Sequence, residues 1–331
     1  MACLRGNSLN IVDLGLKTWS VVRHKVSSSP LTTRANAFEL SPSGQFLAVT
    51  ARNGAVIVEM SSGRIVQRFQ GPPRVSMSAV KFFSDGRMLA VGGIGGYVAL
   101  WDLALDKQVA AFYVKSPASG ANLKQSTVSD LAFSTDGKLL AAGACDSTMM
   151  IWDVEKYMHP SRLVVPKELV QDPWPILSGD DSIDACHAQW LLSFGGDEVV
   201  AALAEHLVPA SKADVNEMKR LIEDLGAAKF AVREEAYKRL ADLGPKAEAL
   251  MKQALATKPY PEVTIRLEKL LSGTNRAVVS APALLGAIRA IGVLERIASN
   301  RAITILKTLA AGADDSRLTK DAAGALARLG K

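Results

Sequence analysis

The fold is decided by two short apolar stretches that contain a Trp-Asp pair, VALWD at residues 98–102 and MIWDV at residues 150–154. The two tryptophans lie 51 residues apart, and an Asp-Gly pair precedes each of them at the same distance, at Asp85-Gly86 and Asp136-Gly137. Asp-Gly readily adopts the positive φ angles of a tight hairpin turn. A hairpin followed by a third strand therefore recurs, with a period typical of propeller blades.

Three such units occupy the first half of the chain, where short apolar runs are broken by Gly, Ser, Asp and Asn, as in strands and hairpins. Ser43-Gly44 supplies the turn of the first unit, and Glu59 follows at the Trp distance. Residues 8–14 and 18–23 are predicted as the last two strands of an earlier unit. The other predicted strands are 37–40, 46–51, 55–60 and 64–70 in unit one, 78–83, 88–93, 97–102 and 107–114 in unit two, and 128–134, 139–144 and 148–153 in unit three.

Units two and three resemble WD40 repeats, because each contains Phe-x-x-Asp-Gly, then a Leu-Ala-x-Gly strand, then Leu or Ile before Trp-Asp. Unit one departs from this pattern, with Glu59-Met60 where Trp-Asp would stand, and Pro73 and Lys124 occupy positions where the family has His. The resemblance implies a partial WD40-type β-propeller of about three and a half blades, whereas closed rings have about four to eight. Either further blades lie upstream in the natural gene, which is the favoured interpretation, or two chains complete one ring as a homodimer.

After residue 156 the apolar residues recur at three- and four-residue spacing, which predicts helices. The motif Val-Arg-x-x-Ala-x-x-x-Leu-x-x-Leu-Gly at residues 232–244 resembles HEAT-type repeats, and residues 173–331 resemble the helical tail of large bacterial WD40-repeat proteins. We expect propeller blades over 1–156, a linker over 157–172 and an α-helical HEAT-like domain over 173–331. The predicted helices are 182–194, 197–207, 214–225, 230–243, 246–256, 261–271, 283–298, 302–311 and 319–329.

Composition favours a cytoplasmic protein that is not embedded in a membrane. Cys3, Cys145 and Cys186 are too far apart for a disulfide framework, which fits a reducing compartment. The first residues lack the charged and apolar regions of a signal peptide, and no apolar run approaches the length of a membrane span. The net charge of +6 is modest, and the absence of a dense Lys/Arg stripe argues against dedicated nucleic-acid binding.

The sequence offers no defensible catalytic, metal or cofactor site. Cys186-His187 has no second Cys or His at ligand spacing, so we interpret both as ordinary helix residues. The glycines at residues 92–96 lack the Lys-Ser/Thr of a phosphate-binding loop and are interpreted as a structural turn. Asp180-Asp181 precedes an apolar helical pattern, which predicts N-capping rather than acid–base chemistry.

We therefore expect a non-enzymatic scaffold that binds protein partners through propeller loops and the helical domain, without a cofactor. The loops at one face of the propeller would form the docking area, where cations would steer acidic partners. An alternative is that the chain is the truncated C-terminal interaction or sensor part of a larger signalling or transcription-related protein. A weaker alternative is a nucleic-acid binder that uses the basic first half. The candidate partner-binding residues are Arg52, Arg74, Lys115, Lys124 and Asp146.

Overall fold

In the computed structural model the described residues form four antiparallel sheets followed by helices, which confirms the predicted partial β-propeller with a helical region. The structure describes residues 2–5, 8–12, 21–25, 36–52, 54–114, 126–158, 165–210, 215–243, 245–257, 259–274, 279, 281–314 and 316–331.

Each sheet is a meander in which consecutive strands pair antiparallel. The predicted strands of the three later sheets differ from the structure by at most one residue at either end, and the N-terminal sheet has one strand more than predicted. The N-terminal sheet comprises β1 (Ala2–Arg5), β2 (Ser8–Val12) and β3 (Val21–Lys25). Blade 1 comprises β4 (Ala37–Leu40), β5 (Phe46–Ala51), β6 (Gly54–Glu59) and β7 (Ile65–Gln70). Blade 2 comprises β8 (Met77–Phe82), β9 (Met88–Gly93), β10 (Tyr97–Asp102) and β11 (Lys107–Tyr113), and blade 3 comprises β12 (Val128–Phe133), β13 (Leu139–Ala144) and β14 (Met149–Asp153).

The hairpin turns form where the sequence placed them. Gly44, Gly86 and Gly137 have φ angles of 70°, 72° and 73°, which side chains with a Cβ rarely adopt. Strands β9 and β10 of blade 2 are almost entirely buried, because one face of the blade packs against blade 1 and the other against blade 3. The core between blades 1 and 2 includes Phe46, Ile57, Leu89, Val91 and Ala99. The core between blades 2 and 3 includes Met88, Ala90, Val98, Leu100, Leu131 and Leu140.

All nine predicted helices are present, with ends that shift by at most three residues. The sequence did not predict three short helices, α1 (Glu155–Met158), α2 (Lys167–Gln171) and α3 (Trp174–Ser178). The remaining helices are α4 (Ser182–Leu192), α5 (Gly196–Ala204), α6 (Val215–Asp224), α7 (Phe230–Leu243), α8 (Pro245–Ala256), α9 (Pro261–Thr274), α10 (Pro282–Ile297), α11 (Asn300–Ala310) and α12 (Arg317–Arg328).

The helices form two groups with separate cores. Helices α2–α5 and α10–α12, here called the docked helices, share a core that includes Leu177, Leu192, Leu203, Leu294 and Leu306. Helix α2 lies within the segment predicted as a linker and packs Leu169 and Val170 against this core. Helices α6–α9, here called the inserted module, have a core of their own that includes Leu221, Leu240, Met251 and Leu267. The chain thus leaves the docked helices after α5 and returns to them at α10.

Candidate interaction surface

Each blade presents two edges, because the connections of a meander alternate between the two ends of the sheet. We call the edge that carries the Gly44, Gly86 and Gly137 turns the turn face. The turns β5–β6, β9–β10 and β13–β14 and the connection β7–β8 form the opposite edge, called the loop face. Which edge stays available for a partner depends on where the docked helices pack.

The docked helices contact the turn face of blade 1 through a buried ion pair between Glu59, at the end of β6, and Arg289 of α10. Both side chains are at most 2% exposed. Arg289 Nε lies 2.7 Å from Glu59 Oε1, and Nη2 lies 2.8 Å from Oε2. Its Nη1 donates to the carbonyl oxygens of Leu177 and Gly179 at 2.7 and 3.0 Å, and Nη2 donates to Ser182 Oγ at 3.2 Å. Every N–H of the guanidinium therefore has an acceptor, as a buried charge requires.

In blade 2, the acidic residue at the position of Glu59 pairs with an arginine of the same blade and not with one from a helix. There Asp102 closes strand β10 and binds both Nε and Nη2 of Arg87, which follows the turn glycine of the same blade. Asp102 also accepts the backbone N–H groups of Ala104 and Leu105 at 3.0 and 3.2 Å, so it holds a turn. Blade 1 has Gln45 in place of that arginine. The cation that pairs with Glu59 therefore comes from a helix about 230 residues further along the chain.

The strand register corrects the predicted alignment of unit one. Glu59 pairs with Phe46, two residues after the turn glycine, just as Asp102 pairs with Met88. Glu59 thus occupies the position of the Asp in the repeat, and Val58 occupies that of the Trp. The prediction that Glu59-Met60 stand for Trp-Asp was wrong by one residue, because the β5–β6 turn is one residue shorter than the connection between β9 and β10.

A second contact surrounds Arg296, at the end of α10. Its guanidinium lies 4.1 Å from the ring centroid of Trp190 in α4 and 5.9 Å from that of Phe46 in blade 1, and Nη2 donates to Gln45 Oε1 at 3.2 Å. Burial lowers the pKa of Arg296 to about 10, so the group stays protonated at neutral pH. Cation–π contacts of this kind gain strength when they are desolvated. They add to the ion pair in fixing α4 and α10 on the turn face.

The structure describes three of the five candidate partner-binding residues. Arg52 is exposed in the β5–β6 turn, and Arg74 is exposed between β7 and β8 with a φ of 67°. Gly54 pairs with both Ala51 and Gln70, which places the two arginine-bearing connections at the same edge of blade 1. Lys115 and Lys124 lie outside the described residues.

Asp146 has a structural role in the β13–β14 turn of blade 3. Its carboxylate accepts the backbone N–H of Thr148 at 3.0 Å and the hydroxyl of Ser126 at 3.2 Å. These bonds join the turn to the segment that precedes β12. The structure therefore places Arg52 and Arg74 at the same edge of blade 1 and Asp146 on the same face, two blades away.

The other motifs have the structural roles that the sequence predicts. A Cβ on Gly92 would lie 2.5 Å from Val128 Cγ1, and one on Gly93 would lie 2.9 Å from the Ser76 carbonyl oxygen, so close packing explains these glycines. Asp181 caps α4 by accepting the N–H groups of Ile183 and Asp184. Burial raises the pKa of the Cys186 thiol to about 12, which leaves it an unreactive core residue.

Within the described ranges, no three His, Cys, Asp or Glu side chains are grouped closely enough to hold a metal ion. In the same ranges, no helix combines the length and apolar character needed to span a bilayer.

Two stretches of the blade region match a known family model. Residues 63–102 and 119–153 match the family model described as WD domain, G-beta repeat, and each match ends on or beside a Trp-Asp pair. Two stretches of the chain are thus similar to WD40 repeats. The matched stretches run from the end of blade 1 through blade 2 and across blade 3.

Curated relatives match the chain over parts of their length. The small ribosomal subunit protein RACK1 of Drosophila melanogaster is 26% identical over 152 residues, which cover 44% of this chain and 46% of that protein. The guanine nucleotide-binding protein subunit beta of Zea mays is 32% identical over 92 residues, which cover 28% of this chain and 23% of that protein. The protein HIR1 of Eremothecium gossypii is 30% identical over 96 residues, or 26% of this chain and 12% of that protein. The chain thus spans less than half the length of these relatives.

Proposed function

We propose that the chain is a non-enzymatic scaffold that binds protein partners through the loop face of its WD40 repeats. The observation that carries this proposal is the position of the docked helices. The Glu59–Arg289 ion pair and the Arg296 contacts lie at the turn face. The loop face, with exposed Arg52 and Arg74, is left for a partner.

The relatives support the same class of function. By their names, one is a protein of the small ribosomal subunit and another is a subunit of a guanine nucleotide-binding protein, so both belong to larger assemblies. Arg52 and Arg74 give blade 1 a positive edge, which favours an acidic partner surface and makes its capture sensitive to salt. Such a scaffold acts by shape and charge and needs neither a cofactor nor a catalytic group.

The helical region extends the scaffold in this proposal. Residues 232–244 resemble HEAT-type repeats, which supports a role for the inserted module as a second contact surface. The domain limits in this proposal are those that the sequence predicts, near residues 156 and 173. The exposed Cys145 and the buried Cys186 are both free thiols, which favours the reducing cytoplasm as the working compartment. The alternative, an interaction or sensor part of a larger signalling or transcription-related protein, is favoured if the genomic sequence before Met1 continues in frame with further blades.

The decisive experiment is affinity capture from a native extract that has been treated with nuclease. We expect the immobilised chain to retain a discrete set of proteins, and the Arg52→Glu/Arg74→Glu variant to lose them. The matched control is Arg220→Glu/Arg301→Glu, which makes the same change of charge at exposed positions of α6 and α11. Equal capture by all three proteins would exclude the loop face as the docking surface. Capture that occurs only from a parallel extract without nuclease treatment would favour the nucleic-acid alternative.

A further inference from the structure

One sheet face of blade 3 exposes large apolar side chains. Leu139 is 43% exposed, Met149 65% and Ile151 54%. The strand register places them together, because Ile151 pairs with Ala141, Met149 pairs with Gly143 and Leu139 pairs with Asp153. The opposite face of the same strands is buried against blade 2 through Leu140 and Ala142.

The repeat shows what normally covers this face. Counted from the turn glycine and the closing Asp, Leu139, Met149 and Ile151 correspond to Met88, Val98 and Leu100 of blade 2, which are fully buried against blade 3. The corresponding residues of blade 1 include Phe46 and Ile57, which are each 1% exposed and pack against blade 2. The same face thus packs against the following blade twice within this chain. Blade 3 has the same apolar residues, but no further blade covers them within the part of the chain that the structure describes.

The charges of two segments indicate which sheet would cover the exposed face of blade 3. Residues 126–155, which form blade 3 and its margins, carry five acidic residues and one basic residue, Lys138. Residues 1–25, which include the N-terminal sheet, carry four basic residues and one acidic residue, Asp13. Opposite charges of this size attract the two segments and help to set their orientation.

We propose that the exposed face of blade 3 docks on the N-terminal sheet of a second copy of this chain. A two-fold axis pairs each blade 3 with the partner's N-terminal sheet, so two equivalent contacts form at once. The described residues of two copies together form eight sheets, and closed propellers have about four to eight blades. The contact is distinct from the loop face, so it goes beyond the proposed function and stands or falls separately from it.

The first test is the mass of the purified chain, measured by light scattering coupled to size exclusion. We expect twice the 35.2 kDa of one chain, and a shift toward the single-chain mass as salt is added, because the attraction between charges is screened. Met149→Lys/Ile151→Lys should give the single-chain mass at all salt concentrations. The matched control, Tyr260→Lys/Ile265→Lys, changes two exposed apolar residues of the inserted module and should keep the double mass. A wild-type chain that remains single over the whole concentration range overturns the proposal.

The second test identifies the two faces by charge exchange. Asp130→Lys/Asp153→Lys/Glu155→Lys changes the net charge of residues 126–155 from −4 to +2, and Arg23→Glu/Lys25→Glu changes that of residues 1–25 from +3 to −1. Each variant alone should therefore have the single-chain mass. When the two are mixed, each altered segment meets a complementary one, and a heterodimer should form. Circular dichroism checks that each variant is folded. Dimers that persist in both variants, or a mixture in which no heterodimer forms, would assign the contact to other surfaces and overturn the proposal.

Discussion

Arg289 supplies blade 1 with the cation that blade 2 takes from its own Arg87. We predict that Arg289→Met lowers the free energy of unfolding by about 3–5 kcal/mol, because Glu59 is then left buried without its counter-ion. Arg328→Met is the control, since the Arg328–Glu295 pair has an arginine that is 37% exposed, and its loss should cost at most about 1 kcal/mol. Urea unfolding followed by the fluorescence of Trp190 and the other tryptophans measures both.

A double variant separates charge from packing at this position. Glu59→Gln in the Arg289→Met background removes the unpaired charge and should restore part of the lost stability. If Arg289→Met and Arg328→Met cost the same, the buried pair does not hold the docked helices on blade 1.

The buried thiol of Cys186 should make the free energy of unfolding depend on pH in the alkaline range. Burial raises the pKa of its thiol from 9.0 to about 12, so in that interval the unfolded chain ionises the group while the folded chain does not. Stability from this group is therefore complete below pH 9 and falls as the pH rises toward 12, with a slope approaching about 1.4 kcal/mol per pH unit. We expect Cys186→Ala to unfold with a flatter profile than the wild type between these pH values. Parallel profiles would contradict the prediction.

At the scale of the element, α10 depends on a close crossing with α3. A Cβ on Gly286 would lie 3.0, 3.1 and 3.2 Å from the Cβ, Cα and N of Ser178, and the backbone of α3 cannot move aside as a side chain can. We predict that Gly286→Val costs about 1–3 kcal/mol. Gly324→Ala in α12 is the control, because its Cβ would meet only the flexible end of Arg328, at 3.3 Å. The control should be neutral or should stabilise by up to about 1 kcal/mol, and thermal unfolding compares the two. If Gly286→Val and Gly324→Ala changed the stability equally, α10 and α3 would not be closely packed at Gly286.

Strands and helices could be predicted from the sequence where the residues that set their ends lie next to them in the chain. Strands β5 and β9 begin two residues after a turn glycine, so the sequence sets their starts. Helix α7 ends before Gly244, and α9 begins at Pro261, as capping and breaker residues predict. Helices α2 and α3 are each five residues long, too short to show a period, and were missed for that reason.

At the scale of the whole molecule, the attachment of the docked helices to blade 1 could not be predicted from local patterns. Glu59 and Arg289 meet across 230 residues, and no periodicity links them. Two signals were nevertheless present in the sequence. Blade 1 has an acid at its closing position without the basic residue that follows the turn glycine in the other blades, Arg87 and Lys138. Arg289 is also the one charged residue within the apolar stretch 283–294. A buried acid and an isolated basic residue in an apolar helix are candidates for each other.

The separate core of α6–α9 leads to a prediction about the architecture of the whole chain. The chain is anchored on both sides of the inserted module. The carbonyl oxygen of Ala210 accepts the N–H of Ala313 at 2.9 Å, and the N–H of Val279 donates to the carbonyl oxygen of Ser61 at 2.7 Å. Replacing residues 212–277 by a flexible Gly/Ser linker should therefore leave the docked helices on blade 1, since neither their core nor the Arg289 contacts include a residue of the module.

Hydrogen exchange measures this outcome directly. The amides of α4 and α10 should remain as protected in the excised variant as in the full chain, and the separate segment 212–277 should be helical with its own unfolding transition. A scrambled linker of the same length serves as the control for linker sequence. If protection of α10 is lost on excision, the module stabilises the docked helices through contacts outside its own core, and the two groups fold as one unit. Retained protection would mean that the module can be lost or exchanged without disturbing the turn face, which is the property expected of a separate contact surface on a scaffold.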